Sequence, residues 1–185
     1  MKKIVLKAVL ATAVMAPVLA QAQSAYVGAS ILVSRQNSGG NLQFANDTSQ
    51  SDVGFKLVTG YHFNDKFGIE AAYVDMGDSV VAGNLLLVAP RALYLAGTGT
   101  WQLSPHFALT GKLGLAANRS KFSTFSGSQT HTENKTTVMA GFGTVFTITK
   151  RMQGVVEYEH FGKVVNVSGG SVTVDTISTG VRFNF

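Results

Sequence analysis

The end of the chain limits the possible folds more than any other stretch. Read backwards from the terminus, Phe185, Phe183, Val181, Thr179 and Ile177 form one row, and Asn184, Arg182, Gly180, Ser178 and Thr176 form the other. Successive side chains of a strand point to opposite faces, so Val172 to Phe185 reads as one strand with an apolar and a polar face. Such a strand either closes a soluble sandwich or turns its apolar row toward lipid. The rest of the chain decides between the two.

Residues 1–22 read as a secretory signal peptide. Lys2, Lys3 and Lys7 form a basic start, Ala8 to Ala16 an apolar core ended by Pro17, and Ala20-Gln21-Ala22 a small-x-small cleavage pattern. The apolar run is too short to anchor the chain in a bilayer. Cleavage after Ala22 removes three of fifteen Lys and Arg, leaving twelve against ten Asp and Glu, a charge of +2. That balance gives no case for nucleic-acid binding. The remaining 163 residues (185 less 22) suit one domain, 23–185. No cysteine is present, so disulfides and thiolate metal sites are excluded. No apolar run of the mature chain is long enough for a transmembrane helix, so in lipid only a closed barrel remains.

Eight segments of about ten residues alternate in character, the pattern of tilted membrane strands. They are Ala25–Ser34, Asp52–Phe63, Phe67–Met76, Ala92–Leu103, Phe107–Ala117, Thr136–Ile148, Gln153–Phe161 and the terminal strand. Short turns fall at Asn64, Ser104 and Thr149. Long loops are expected at Arg35–Ser51, Gly77 to about Leu87, Asn118–Lys135 and Gly162–Ser171. The Gly77–Arg91 boundary is the least defined, because Val80–Ala89 is apolar on both faces. Four long and three short connections between eight strands are what an up-and-down outer-membrane barrel requires, and a sandwich has no reason to keep that alternation. Tyr61, Phe63, Phe67, Trp101, Phe107 and Phe146, joined by Phe183 and Phe185, all fall beside the short turns. This is the place of an interfacial aromatic girdle. The expected fold is therefore an all-β, eight-stranded antiparallel transmembrane barrel.

The run Ala140 to Thr149, continuing to Val156-Glu157-Tyr158, resembles the corresponding strands of the OmpA transmembrane domain. Phe67-Gly68-Ile69-Glu70-Ala71-Ala72-Tyr73 after an Asn-Asp-Lys turn is similar to OmpX-like and opacity-type barrels as well. The spacing Ser178-x-Gly180-x-x-Phe183-x-Phe185 resembles the C-terminal signal that such proteins present to the barrel-assembly machinery. The resemblance implies residence in a Gram-negative outer membrane, among its lipids and lipopolysaccharide, without a cofactor. The periplasmic peptidoglycan-binding domain of full-length OmpA is expected to be absent.

Charged residues on the inward rows are Lys56, Glu70, Lys112, Glu157, Glu159 and Arg182. An eight-stranded barrel is just wide enough for side chains to fill. Three carboxylates and three cations are therefore expected to form a packed ion-pair network, either a plug or, as the resemblance suggests, a gate for a narrow ion path. Arg91, Arg119, Lys121 and Lys135 gather at the expected outer rim, where Arg geometry suits lipopolysaccharide phosphate and ordinary solvation is the alternative. Phe122 and Phe125 are expected to be exposed there and to reach the outer leaflet or a host or cell-surface partner. An enzymatic reading would join His160 to Glu157 or Glu159 and to Ser168 or Ser171. His160 is followed by Phe161 and Gly162, which departs from the lipid A deacylase pattern of a Ser close after the His. His62, His106 and His131 have no metal-ligand spacing. The expected role is structural or surface-interacting through four extracellular loops, with a low-conductance channel second and a lipid-A-modifying enzyme third.

Overall fold

The computed structural model describes residues 25–40, 51–77, 79–81, 86–124, 130–167 and 170–185. The signal segment 1–22 lies outside the described residues. Nine β-segments are present: β1 (Ala25–Gly40), β2 (Ser51–His62), β3 (Phe67–Asp75), β4 (Ser79–Val81), β5 (Leu86–Ser104), β6 (Phe107–Thr124), β7 (Thr130–Thr147), β8 (Met152–Val167) and β9 (Gly170–Asn184). All pair antiparallel. β3 pairs with β2 on one side and β5 on the other, while β4 pairs with β5 alone, from Ser79↔Val88 to Val81↔Leu86. β4 thus continues the third stave, and the barrel has eight.

The ring closes between the first and last strands. β1 pairs with β9 from Tyr26↔Asn184 to Gly40↔Gly170, and the Phe185 N–H donates to the Ala25 carbonyl at 3.0 Å. Closure joins the first and last staves edge to edge, which is what a strand-built object needs in hydrocarbon. Two of the short turns are tied by side chains. Asn64 Oδ1 accepts from the Lys66 and Phe67 N–H groups at 2.9 and 2.8 Å, and Thr149 Oγ1 accepts from the Met152 N–H at 3.0 Å.

The molecule is inside-out by the standards of a soluble domain. Trp101 is 77% exposed, Ile31 65%, Leu113 64% and Ile177 61%, whereas Lys56, Glu70 and Glu159 are wholly buried. Water would not tolerate contiguous rows of this kind around the whole circumference. Hydrocarbon is their solvent.

The segments read as long loops are largely strand. β1 runs on through Arg35–Gly40, β5 begins at Leu86, β6 extends to Thr124, β7 begins at Thr130, and β8 and β9 leave only 168–169 between them. Polar composition marks a segment as solvated, but a ladder needs only a backbone partner, and the Thr and Val residues in these stretches suit strands. The staves therefore continue past the lipid into water. The expected loop cores at 41–50, 82–85 and 125–129, including Phe125, lie outside the described residues, as do the side chains of Phe122 and His131.

Candidate functional site

Alternation on five staves delivers the six inward charges to one level of the lumen. Lys56 Nζ lies 2.5 Å from Glu157 Oε2 and 3.0 Å from Glu159 Oε1. Lys112 Nζ lies 2.6, 2.9 and 3.1 Å from oxygens of Glu70, Glu157 and Glu159. Arg182 Nη2 donates to Glu70 at 2.9 Å and Glu157 at 2.5 Å. Every member is at least 95% buried by side chain. Removing one such ion from water costs several kcal/mol, so each must be met by more than one partner, as each is here.

Two tyrosines complete the layer. The Tyr26 hydroxyl donates to Glu70 Oε2 at 2.7 Å. The Tyr94 hydroxyl lies 2.6 Å from Glu70 Oε1 and 2.9 Å from Glu159 Oε1. The Arg182 guanidinium also stacks 4.8 Å from the Tyr26 ring centroid. The strand period puts both tyrosines on inward rows without assigning them to the network, because a tyrosine can equally serve as wall.

Glycines make the room. A Cβ at Gly143 would stand 2.8 Å from Glu157 Cγ, and one at Gly60 would collide with the Tyr26 ring and hydroxyl. Tyr26 is held by Glu70 and Arg182, so it cannot swing aside freely. Gly60→Ala is expected to cost about 1–3 kcal/mol of stability by displacing the ring. A urea midpoint for the refolded protein in micelles, unchanged by the substitution, would disprove this seating.

Toward the outer end the lumen becomes apolar. Leu32, Val74, Met76, Met139, Phe161 and Val174 are buried together, with Tyr94 packed on Phe161 at 6.1 Å between ring centroids. A charge layer beneath an apolar layer closes the bore twice.

The girdle residues Tyr61, Phe63, Phe67, Trp101 and Phe146 face outward and exposed beside the short turns, with Phe107 half-buried. Tyr61 and Phe63, Phe107 and Phe146, and Phe183 and Phe185 pack as ring pairs at 5.7, 4.9 and 6.0 Å. Ser178 is buried in the lumen, and Gly180 faces Ser30, whose side chain and backbone leave no space for a Cβ. The Gly of the C-terminal pattern thus has a packing reason of its own.

At the outer rim Arg91 pairs in register with both Asp75 and Arg119, and its Nε lies 3.0 Å from Asp75 Oδ2. Arg119 is exposed, Lys135 is half-buried on the lumen-facing row, and the Lys121 side chain lies outside the described residues. His160 does not join Glu157 or Glu159, whose side chains turn into the lumen while its own turns outward. Its Nδ1 instead lies 2.7 Å from Asp175 Oδ1, which also accepts from the Tyr158 hydroxyl at 2.8 Å. The alternation forbids the arrangement an enzymatic reading would need, since 157 and 159 cannot share a face with 160. Ser168 and the Ser171 side chain lie outside the described residues. No group of three or more His, Cys, Asp or Glu among the described residues is placed to hold a metal ion.

Comparison with known proteins agrees with this architecture. The family model described as outer membrane protein beta-barrel domain matches residues 7–185. A search of curated proteins finds no match. Among solved structures, Neisserial surface protein A superposes with a TM-score of 0.64 at 19% identity, covering 87% of this chain and 97% of that one. Outer membrane protein OprG from Pseudomonas aeruginosa gives 0.60 at 15% identity, covering 89% and 99%. Ail, the attachment invasion locus protein of Yersinia pestis, solved with the heparin analogue sucrose octasulfate, gives 0.54 at 18% identity, covering 86% and 99%.

Proposed function

We infer the role of this protein from one premise: the chain belongs to the outer membrane protein β-barrel family, and so resides in the bacterial outer membrane. Its work is done at the cell surface, by the strand extensions and loops that stand beyond the lipid. The observation that carries this reading is the doubly closed lumen, an ion-pair layer beneath an apolar one. With the bore blocked at these two levels, the parts that face a partner outside the cell are the outer ends of the staves. Loops on a rigid scaffold are where binding concentrates. Ail, an attachment protein by its name, is built on a similar barrel, which supports the reading by analogy of fold.

The partner surface includes Arg91 and Arg119, adjacent in register, with Lys121 beyond them on β6. These cations suit phosphate or sulfate groups of lipopolysaccharide or of a host glycan. During biogenesis the terminal strand addresses the barrel-assembly machinery through Ser178, Gly180, Phe183 and Phe185, after cleavage of the export signal near Ala22. The protein is not read as an enzyme, because residue 162, next on the row of His160, is Gly, whereas the lipid A deacylase pattern has a Ser close after its His. Lipid analysis after His160→Ala checks this reading.

A narrow channel is the second reading, favoured by the unpartnered hydroxyls of Ser30, Thr98, Thr110, Thr176 and Ser178 along the lumen wall. Planar-bilayer recording separates the two. The surface reading expects no steady conductance from the intact protein, together with binding to cells or sulfated glycans that is lost when residues 118–135 are replaced by a short turn. Stable unitary currents with no loop-dependent binding would overturn it.

A further inference from the structure

A cleft opens among the short turns on the periplasmic side and reaches in to Arg182. Thr110, Gly143, Val145, Gln153 and His62 line its inner part, and the outward-facing Trp101, Leu109 and Phe142 also border it. Two of the inner side chains carry polar groups that the ion-pair layer leaves unsatisfied. Arg182 is 4% exposed; Nη2 donates to Glu70 and Glu157, and Nε has no partner. Thr110 is 7% exposed, and its hydroxyl has no partner either. A buried donor without an acceptor is expensive, and natural proteins keep few of them. Two that line one open cavity point to something that enters it.

The charge of the approach selects the sign of that ligand. The periplasmic turns carry Lys66, Lys150 and Arg151 against Asp65, so they sum to +2. The donor at the end of the cavity cannot accept a proton or a hydrogen bond. A positively charged mouth over a low-dielectric wall concentrates anions.

We propose that this periplasmic vestibule is a binding site for a small oxyanion, of the phosphate or carboxylate class, seated on the Arg182 Nε–H and the Thr110 hydroxyl. Arg182 belongs to the ion-pair layer, so the site lies on the periplasmic side of that layer, and binding here is separate from contacts made at the cell surface and does not require passage through the barrel.

The test uses the full mature chain refolded in amine-oxide micelles in a chloride buffer. Inorganic phosphate and acetate are titrated in separate arms while the Arg182 Nε–H resonance is followed. The expected result is a saturable shift in at least one arm, and the arm that saturates at lower concentration names the class. A hydrogen bond to a charged group corresponds to about tenfold in affinity, so Thr110→Val should weaken binding by about that factor. This isosteric change removes a hydroxyl that is already unpartnered, so folding, read from the heat-dependent gel shift, should persist. Ser178→Ala removes a comparable orphan hydroxyl away from the vestibule and should leave the affinity unchanged. A linear, unsaturated drift in both arms overturns the proposal, as does a saturable shift that Thr110→Val and Ser178→Ala alter alike. The wild-type titration decides the matter even if a variant fails to refold.

Discussion

Glu157→Gln is expected to lower the stability of the refolded barrel by about 3–5 kcal/mol, the usual result of removing one partner from a buried ionic cluster. Glu157 is the carboxylate that touches all three cations, at 2.5 Å from Lys56, 2.9 Å from Lys112 and 2.5 Å from Arg182. The amide is nearly isosteric, so the cost is electrostatic rather than a cavity. The layer goes from three positive and three negative groups to three and two, in a place water does not reach. Urea unfolding in micelles measures the loss. Adding Lys56→Met to Glu157→Gln restores the balance and should recover part of it, so the two changes will not be additive. Conductance should stay near that of the unmodified protein, because Met76, Met139 and Phe161 still close the bore above the charges. Opening it should require Phe161→Ala as well. If Glu157→Gln leaves the unfolding midpoint where it was, the six residues are not the coupled network described here.

The six charges were legible in the sequence because strand periodicity is a strict code. Once Val53 and Leu57 are assigned to lipid, Lys56 has nowhere to point but inward, and the same holds for Arg182 between Val181 and Phe183. Chemistry beyond the period was less visible. Tyr26 and Tyr94 carry hydroxyls that finish the network, yet aromatic rings at inward positions look like filler until their distances to Glu70 are known. The apolar layer was missed for a related reason: Met76, Phe161 and Val174 stand near expected strand ends, where a hydrophobic residue has no assigned neighbour. Strand length is hard to read because Asn118–Thr124 and Thr130–Lys135 are mostly polar and carry no alternating apolar row. A ladder in water needs no amphipathic pattern, so alternation stops at the lipid boundary while the hydrogen bonds continue. The Tyr158–Asp175–His160 contact was equally hidden, since it depends on the register between β8 and β9.

The second large effect concerns the medium around the barrel. Leu113 stands six residues from Phe107 on the aromatic side and six from Arg119 on the outer side, and it is 64% exposed. At about 3.3 Å per residue and a tilt near 40°, six residues rise about 15 Å, which places Leu113 near the middle of an apolar band about 25 Å tall. Leu113→Arg is therefore expected to destabilise the folded protein in phospholipid vesicles by about 2–4 kcal/mol, whereas Leu103→Arg, at the short-turn end, should cost about 0–1 kcal/mol. Both leucines are exposed to a similar degree, 64% and 57%, so burial in protein cannot produce the difference. Only depth in hydrocarbon separates them. Chemical denaturation of the two variants in vesicles reads the contrast directly. Equal, small costs at both positions would mean that water, not lipid, surrounds these rows, and the outward placement of Ile31, Leu95, Phe142 and Ile177 would then have no physical cause.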